Sequence, residues 1–462
     1  MHKFRLFTPC ILLLLQCSPK TPETSTPPNV LFIAIDDLND WVEPLGGHPQ
    51  AGTPHLNAFA EQAMTFTNAH ASAPLCNPSR VSLLTGLDPR TTGIVTNNAF
   101  YPFREHLPDT ETMIQYFKRE GYYTAGFGKI FHKEDSRTEP WDEYKWCSGR
   151  PRPDPAPGHG IPFITDSVYR YFDWGPVPDS IGKWGEHKMA NEAIRFLNRS
   201  HSSPFFLAMG FRLPHLAWYA PSEFFEAYDS TDIILPDFDH RDLEDIPGII
   251  IERNRKNQIA HDTIMARGVW KEAVKAYLAT IAYIDFELGN VLEQLKSSAY
   301  YNNTIVVIWS DHGFHLGEKN TWRKNTLWEE STRVPLFIRT PDMDRQGATT
   351  DFPVSLLDLY PTLVSLCGLP PRAGLDGQNI SLLLDDPDAR LERSHVTTTN
   401  TLGSAVRTKN WRYIRYNDGA EELYDHNNDP LERINLIEDP AHSAKVNELR
   451  ALLSGQTQSK LN

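Results

Sequence analysis

The run Val30-Leu31-Phe32-Ile33-Ala34-Ile35 leads directly into Asp36-Asp37. A strand with one wet face alternates apolar and polar residues, whereas a strand covered on both faces is apolar throughout. Six unbroken apolar residues therefore predict an interior strand of a sheet with helices on both sides. Working outward, comparable runs stand at 122–127, 205–211, 305–309 and 334–338, with helical patterns between them. Thr53-Pro54 has the cap-then-proline order of a helix start, and 271–296 carries a long amphipathic pattern. The predicted fold class is α/β, a large mixed, mainly parallel sheet flanked by helices. Beyond about Pro370 the pattern changes. Residues 405–416 and 421–424 read as short antiparallel strands and 443–453 as a closing helix. We therefore divide the chain into a main domain, 29–370, and a smaller C-terminal subdomain, 371–462, with a short antiparallel sheet and a helix.

Composition bounds the rest. The 462 residues include 45 Lys and Arg against 59 Asp and Glu, a formal charge of -14. That acidity excludes a general nucleic-acid coat, because phosphate binding wants a broad basic surface. A polyanion would bind only at a local basic pocket. Five cysteines (Cys10, Cys17, Cys76, Cys147 and Cys367) are too few for a disulfide framework in a chain of this length. At the start, Lys3 and Arg5 precede an apolar run over 6–15, too short to span a bilayer and patterned as an export signal. Leu14-Leu15-Gln16-Cys17 resembles a bacterial lipoprotein box, in which Cys17 would carry the lipid. Gln16 departs from the small residue expected there, so plain cleavage nearby is the alternative. Residues 1–17 are read as the signal and 18–28, rich in Pro and Thr, as a linker. The expected location is the periplasm or, for a lipoprotein, the outer membrane of a bacterium.

The residues that follow each strand share a character. Asp36-Asp37 follows the first strand, and Lys129 with His132 follows the second. Arg212 and His215 follow the third, and Ser310-Asp311-His312-Gly313 the fourth. Ligands of open α/β sheets bind beyond the carboxyl ends of the strands. One ionisable group there is ordinarily a turn or a cap. Four strand ends with metal- or anion-binding chemistry predict a site.

The segment Cys76-Asn77-Pro78-Ser79-Arg80 continues to Thr85-Gly86. Pro78 fits the first turn of a helix, which places Cys76 at a helix N-terminus beside Arg80. Two readings follow from the residues alone: a reactive thiol in an electropositive niche, or a buried structural thiol. C-x-P-S-R followed five residues later by T-G resembles the signature of the type I sulfatases of the alkaline phosphatase superfamily. The resemblance extends over 29–436 and includes Asp36-Asp37, Gly128-Lys129 with His132, Pro214-His215, Asp311-His312-Gly313 and Leu423-Tyr424-Asp425. It is most similar to the iduronate-2-sulfatase branch, through Gly128-Lys129-Ile130-Phe131-His132, Phe205-Phe206-Leu207-Ala208 and Lys324, thirteen residues beyond Asp311.

That resemblance implies a sulfuric ester hydrolase. In the family a formylglycine-generating or anaerobic sulfatase-maturating enzyme oxidises the cysteine to Cα-formylglycine, and the aldehyde hydrate is the nucleophile. One hydroxyl attacks sulfur in line; the second allows the aldehyde to re-form and sulfate to leave, which a plain Ser or Cys cannot do. Carried over, Asp36, Asp37, Asp311, His312 and modified Cys76 would hold one Ca²⁺, the carboxylates being hard oxygen donors. His312 stands where many sulfatases have Asn, although the iduronate-2-sulfatase-like branch has His. Arg80 would orient the hydrate and offset its charge, and Lys129 and Lys324 would contact sulfate oxygens. His132 would accept the hydrate's proton and His215 donate one to the leaving alcohol.

Export suits a polymer-derived substrate, and the expected one is a sulfated oligosaccharide or polysaccharide, algal (such as ulvan) or a glycosaminoglycan. Arg104 and His106, in the aromatic segment 97–106, are candidate contacts for a sugar carboxylate. The rival readings are a phosphate diester or phosphonate ester hydrolase of the same superfamily and a non-catalytic glycan-binding lipoprotein.

Overall fold

In the computed structural model Asn29–Asp36 forms the strand that its apolar run predicts, and all eight of its residues are buried. The structure describes residues 27–458 apart from 98–102, 133–138, 148, 150, 154–156, 158, 160–171 and 179. The segment 1–17 read as a signal, with Cys17 as the candidate lipid-bearing residue, and nearly all of the segment read as a linker lie outside the described residues. Asn29–Asp36 lies between two parallel partners, Phe205–Pro214 and Thr304–Ser310. Its alternate side chains enter two cores. Leu31, Ile33 and Ile35 pack with residues of the helices Gly185–Leu197 and Trp270–Ser297. Val30, Phe32 and Ala34 pack on the other face with Val81, Leu83 and Leu84 of the helix Cys76–Thr85. Two wet-excluding layers are what make the run apolar at every position.

Among the described residues the sheet has eight strands in the order Thr349–Thr350, Met64–Phe66, Leu336–Arg339, Thr304–Ser310, Asn29–Asp36, Phe205–Pro214, Tyr123–Gly128 and Glu143–Lys145. Leu336–Arg339 runs antiparallel to both of its neighbours, so the sheet is mixed but mainly parallel, as expected. The four strands Asn29–Asp36, Tyr123–Gly128, Phe205–Pro214 and Thr304–Ser310 are all parallel, so their carboxyl ends gather on one edge of the sheet. Among the described residues no helix is long and apolar enough to cross a membrane.

The C-terminal sheet is a meander of Val396–Thr399, Gly403–Arg407, Trp411–Tyr416 and Glu421–Asp425. Period-two alternation gives it two apolar faces. Val406, Tyr413 and Leu423 pack against Val446 and Leu449 of the closing helix Ser443–Gln458. Ala405, Ile414, Tyr416 and Tyr424 pack against Leu327, Trp328 and Ile250 of the main domain. Polar bonds fasten the same seam. Trp328 Nε1 donates to Glu422 (2.8 Å), and Arg412 donates to the Leu327 carbonyl (2.9 Å) and pairs with Glu329. The subdomain therefore buttresses the segment that carries Lys324.

The helix Pro54–Ala60 starts where Thr53-Pro54 predicts, but Thr53 does not cap it with its side chain. Its hydroxyl bonds to the Glu43 amide and to Asn57 instead. The buried Asp285 carboxylate takes the free first-turn amides of His55 (3.0 Å) and Leu56 (2.8 Å), a partner 230 residues away that no local pattern reveals.

His261, on the helix Gly248–Arg267, accepts from Trp322 Nε1 through Nδ1 (3.1 Å) and is 2% exposed. Burial depresses it to about 4. A histidine depressed in the folded state supplies stability that is complete above about pH 6.5 and is lost as pH falls toward 4. At about 1.4 kcal/mol per unit, that loss is up to about 3 kcal/mol. Urea unfolding at a series of pH values should show it, and His261→Gln, which keeps an acceptor, should flatten the acid limb. An unchanged pH profile in that variant would remove His261 from the account.

Candidate active site

The helix Cys76–Thr85 begins at Cys76, with Leu75 extended before it, and all ten of its residues are buried. It ends at Gly86, whose φ of 71° is left-handed and whose Cβ position would lie 2.5 Å from Leu375, so glycine suits the position twice over. Cys76 Sγ lies 3.1 Å from Lys324 Nζ, 3.2 Å from His312 Nε2 and 3.9 Å from Asp37 Oδ1. The niche is thus built from a helix N-terminus, an ammonium group, an imidazole and a carboxylate. Cys147 and Cys367, whose pairing the sequence leaves open, are both free thiols.

Arg80 sits one helical turn below and is fully buried. Its Nε donates to Asp311 (2.7 Å), one terminal nitrogen to the carbonyls of Lys129 (2.6 Å) and Ile130 (2.9 Å), and the other to Asp36 (3.3 Å). One guanidinium therefore ties together three strand ends. The remaining carboxylates have lysine partners: Lys129 Nζ lies 2.5 Å from Asp36, and Lys324 pairs with Asp37. Against the opposing effect of burial, Lys129, His215 and Arg80 hold Asp36 well below the usual carboxylate range, and Lys324 and His215 hold Asp37 at about 2. Asp37 takes a left-handed φ of 64°. Its amide donates to Asp311 (3.1 Å), and its carbonyl accepts from Tyr277 (2.8 Å).

The same residues satisfy the chemistry of a divalent-cation site. Ligand atoms of Asp36, Cys76, Asp311 and His312 lie within 4.8 Å of one another, as do those of Asp36, Asp37, Cys76 and His215. His312 Nδ1 bonds to the Gly313 carbonyl (2.9 Å), which turns Nε2 toward Asp37 (3.4 Å) and Asp311 (3.5 Å). A bare lone pair there would face two anions. Burial lowers the basicity of His312, and Asp311 more than offsets it, raising the ring to about 9. Each of the two sets offers two carboxylates, which are hard oxygen donors suited to a divalent ion, together with one ring nitrogen.

His215 is half-buried at the same edge, its Nδ1 2.7 Å from the Leu216 carbonyl, and burial pushes it down to about 3 despite Asp37. His132 is buried just past the Lys129 strand end. Arg104 and His106 are engaged elsewhere. Arg104 pairs with Glu139 (2.7 Å) and also donates to the Thr110 carbonyl; His106 bonds to the Thr92 carbonyl (2.8 Å). No contact among the described residues joins either of them to Cys76.

One residue of this centre is not singled out by the sequence: Arg323, half-buried beside Lys324. Burial brings its guanidinium down to about 10 against the opposing pull of Asp37 and Cys76, so it stays cationic at neutral pH. The segment around it is backbone-strained, with positive φ at Lys319 (50°), Asn320 (50°), Arg323 (79°) and Asn325 (78°). Only its proximity to Lys324 in sequence could have pointed to it.

With this geometry, similarity to known proteins is specific. The family model described as Sulfatase matches residues 28–369, and one for the C-terminal region of N-sulphoglucosamine sulphohydrolase matches 317–459. A Formosa agariphila protein named sulfatase is 37% identical over 92% of this chain and 86% of its own length. An ulvan-active sulfatase of Formosa agariphila is 28% identical (96% and 84%), and the iduronate 2-sulfatase of Mus musculus 27% (91% and 93%). A phosphonate monoester hydrolase of Agrobacterium radiobacter shares the fold at a TM-score of 0.76 with 19% identity, over 94% of this chain and 96% of that one. The chain belongs to the sulfatase family. It is a sulfuric ester hydrolase.

Proposed function

We propose that the protein is an exported sulfatase that removes sulfate from oligosaccharides derived from sulfated polysaccharides, algal (ulvan) or glycosaminoglycan, using formylglycine made from Cys76 and one calcium ion. The observation that carries the reading is the position of Cys76 Sγ, where Lys324, His312 and the carboxylates of two strand ends meet. Support for the substrate class comes from the likeness to an ulvan-active sulfatase and to iduronate 2-sulfatases.

As formylglycine hydrate, residue 76 supplies two hydroxyls on one carbon, one to attack sulfur and one to release sulfate afterwards. Asp36, Asp37, Asp311 and His312, with modified residue 76, would hold a calcium ion, which would supply positive charge to offset that of the sulfate. Arg80 keeps Asp36 and Asp311 fixed and adds its charge beneath residue 76. Lys129 and Lys324 present ammonium groups to the sulfate, as point charges that need no fixed angle. His132, at the mouth of the Lys129 strand end, takes the proton of the attacking hydroxyl. His215 serves the leaving alcohol. Its Nδ1 donates to the Leu216 carbonyl, so Nε2 must first take up a proton, which an anionic ester beside it favours.

The test is sulfate release from a panel of defined sulfated oligosaccharides, using protein made with a maturation enzyme, together with peptide mass spectrometry of residue 76. A Cys76 thiol that is unmodified throughout in active protein sinks the formylglycine reading. Removal of divalent cations with a chelator is expected to lower turnover at least about tenfold, with recovery on adding Ca²⁺. Full activity after verified metal removal would reject the calcium assignment.

A further inference from the structure

The helices Pro54–Ala60 and Trp270–Ser297 enclose, with the sheet, a cavity of about 280 Å³, at the small end of ligand pockets. Phe59, Leu292, Leu295 and Val306 give it an apolar lining, and Arg339 lines it with them. Arg339 stands directly opposite Val306 where Leu336–Arg339 pairs with Thr304–Ser310, so the two side chains share a face of the sheet. Val306 lies near the amino end of the strand whose carboxyl end leads into Asp311. The cavity is therefore toward the opposite edge of the sheet from Cys76, and no residue placed in the catalytic centre lines it.

Arg339 is only 6% exposed, yet no carboxylate among the described residues pairs with it. One terminal nitrogen donates to the carbonyls of Tyr301 (3.3 Å) and Thr304 (3.4 Å), both at the long limit of hydrogen bonding. The guanidinium lies over the Tyr301 ring, 4.1 Å from its centroid, and the Tyr301 hydroxyl is itself fixed by donating to Gln62 (2.6 Å). These contacts set the plane of the guanidinium without supplying a counter-ion. Nε and the other terminal nitrogen donate to none of the described residues. A buried charge in a folded protein ordinarily has a partner of opposite sign. Glu293 also lines the cavity but is exposed and makes no ion pair with Arg339, and the exposed Lys296 offsets its charge. The cavity is thus apolar, with one buried cation whose anion the described residues do not provide.

We propose that this cavity is a second binding site, separate from the catalytic centre, and that it takes a small monocarboxylate with an apolar body. Two parallel N–H···O bonds from the planar fork of Arg339 hold the carboxylate, whose single charge matches the single unpaired cation. The apolar body covers Phe59, Leu292, Leu295 and Val306. A sugar would strand hydroxyls against those side chains, and an inorganic anion would leave them uncovered. Because Tyr301 already holds the guanidinium flat, the ligand meets a preformed fork and little side-chain ordering opposes binding.

Three probes and two variants test it. The probes are 4-bromobenzoate, the neutral 4-bromobenzamide and inorganic sulfate, each titrated calorimetrically into the wild-type protein. Anomalous scattering from crystals grown with 4-bromobenzoate locates the bromine. The expected result is saturable binding, with bromine in the cavity and the carboxylate on Arg339. The amide, which brings no charge, should bind at least about tenfold more weakly. Arg339→Met should weaken 4-bromobenzoate binding at least about tenfold, and Arg339→Lys, which keeps the charge without the fork, should recover part of it. Sulfate release should stay close to wild type in both variants, because the contacts of Arg339 are all at the amino end of the strands. Equal affinity for acid and amide overturns the proposal, as does displacement of the acid by an equal concentration of inorganic sulfate. A bromine peak at the catalytic centre alone also overturns it. Absence of saturable binding to the wild-type protein does so without recourse to the variants, so a variant that fails to fold leaves the test intact.

Discussion

Replacing Cys76 by alanine is expected to abolish sulfate release, by roughly 10⁴-fold or more, while leaving a folded protein. The side chain is 1% exposed and touches polar neighbours on every reactive side, so its removal costs stability only on the order of 1 kcal/mol. Activity and fold should therefore separate cleanly, with unfolding close to wild type and sulfate release at background. Cys76→Ser sharpens the result. A serine hydroxyl in the same niche has Lys324 and His312 for neighbours and can attack sulfur, but one carbon with one hydroxyl has no second group with which to expel sulfate. At most one turnover is expected, with the SO₃ group retained by mass on the peptide that carries the substituted position. Multiple turnovers by the serine variant would show that the second hydroxyl is dispensable and would remove formylglycine from the mechanism.

Much of this centre is legible in the linear sequence because its parts follow apolar runs. Asp36-Asp37, Lys129, His215 and Asp311-His312 each stand directly after a strand whose two-sided burial dictates a continuous apolar pattern, and parallel pairing then brings the ends together. The Cys76 segment is legible from Pro78 and Gly86, which bracket its helix. What stays hidden depends on partners distant in sequence or on backbone signs. Arg104 looks free in sequence because Glu139 lies 35 residues on. Thr53 looks like a cap because Asp285 is out of sight. The direction of Leu336–Arg339 is invisible because an apolar run reads the same either way. Arg323 escapes notice since alternation with Lys324 predicts divergence and nothing in its residue type announces a left-handed φ. The family match over 317–459 straddles the boundary placed at 370, in keeping with the bonds from Trp328 and Leu327 into the C-terminal sheet.

Arg80 should show the largest loss of stability of any single substitution in the centre. Its guanidinium makes two charge-assisted contacts and two carbonyl contacts, all at zero exposure, and these bind the ends of Asn29–Asp36, Thr304–Ser310 and Tyr123–Gly128 to one another. Removing one partner of a buried ion pair leaves an uncompensated charge, at a cost of about 3–5 kcal/mol. Arg80→Met, which preserves much of the volume, should lose about that amount in urea unfolding of metal-stripped protein and show no sulfate release. Arg80→Lys restores charge but offers a single ammonium where four acceptors are arranged for a planar fork, so it should recover only part. Asp311→Asn in the Arg80→Met background distinguishes charge from packing. If the stranded carboxylate is the cause, the double variant should be more stable than additivity of the two single variants predicts, by about 1–3 kcal/mol. Strict additivity would mean that Arg80 contributes by filling space. The three strand ends would then be held by the sheet alone, and Lys129, which depends on Arg80 through its own carbonyl, would keep its position and the lysine-dependent binding of sulfate in the Arg80→Met protein.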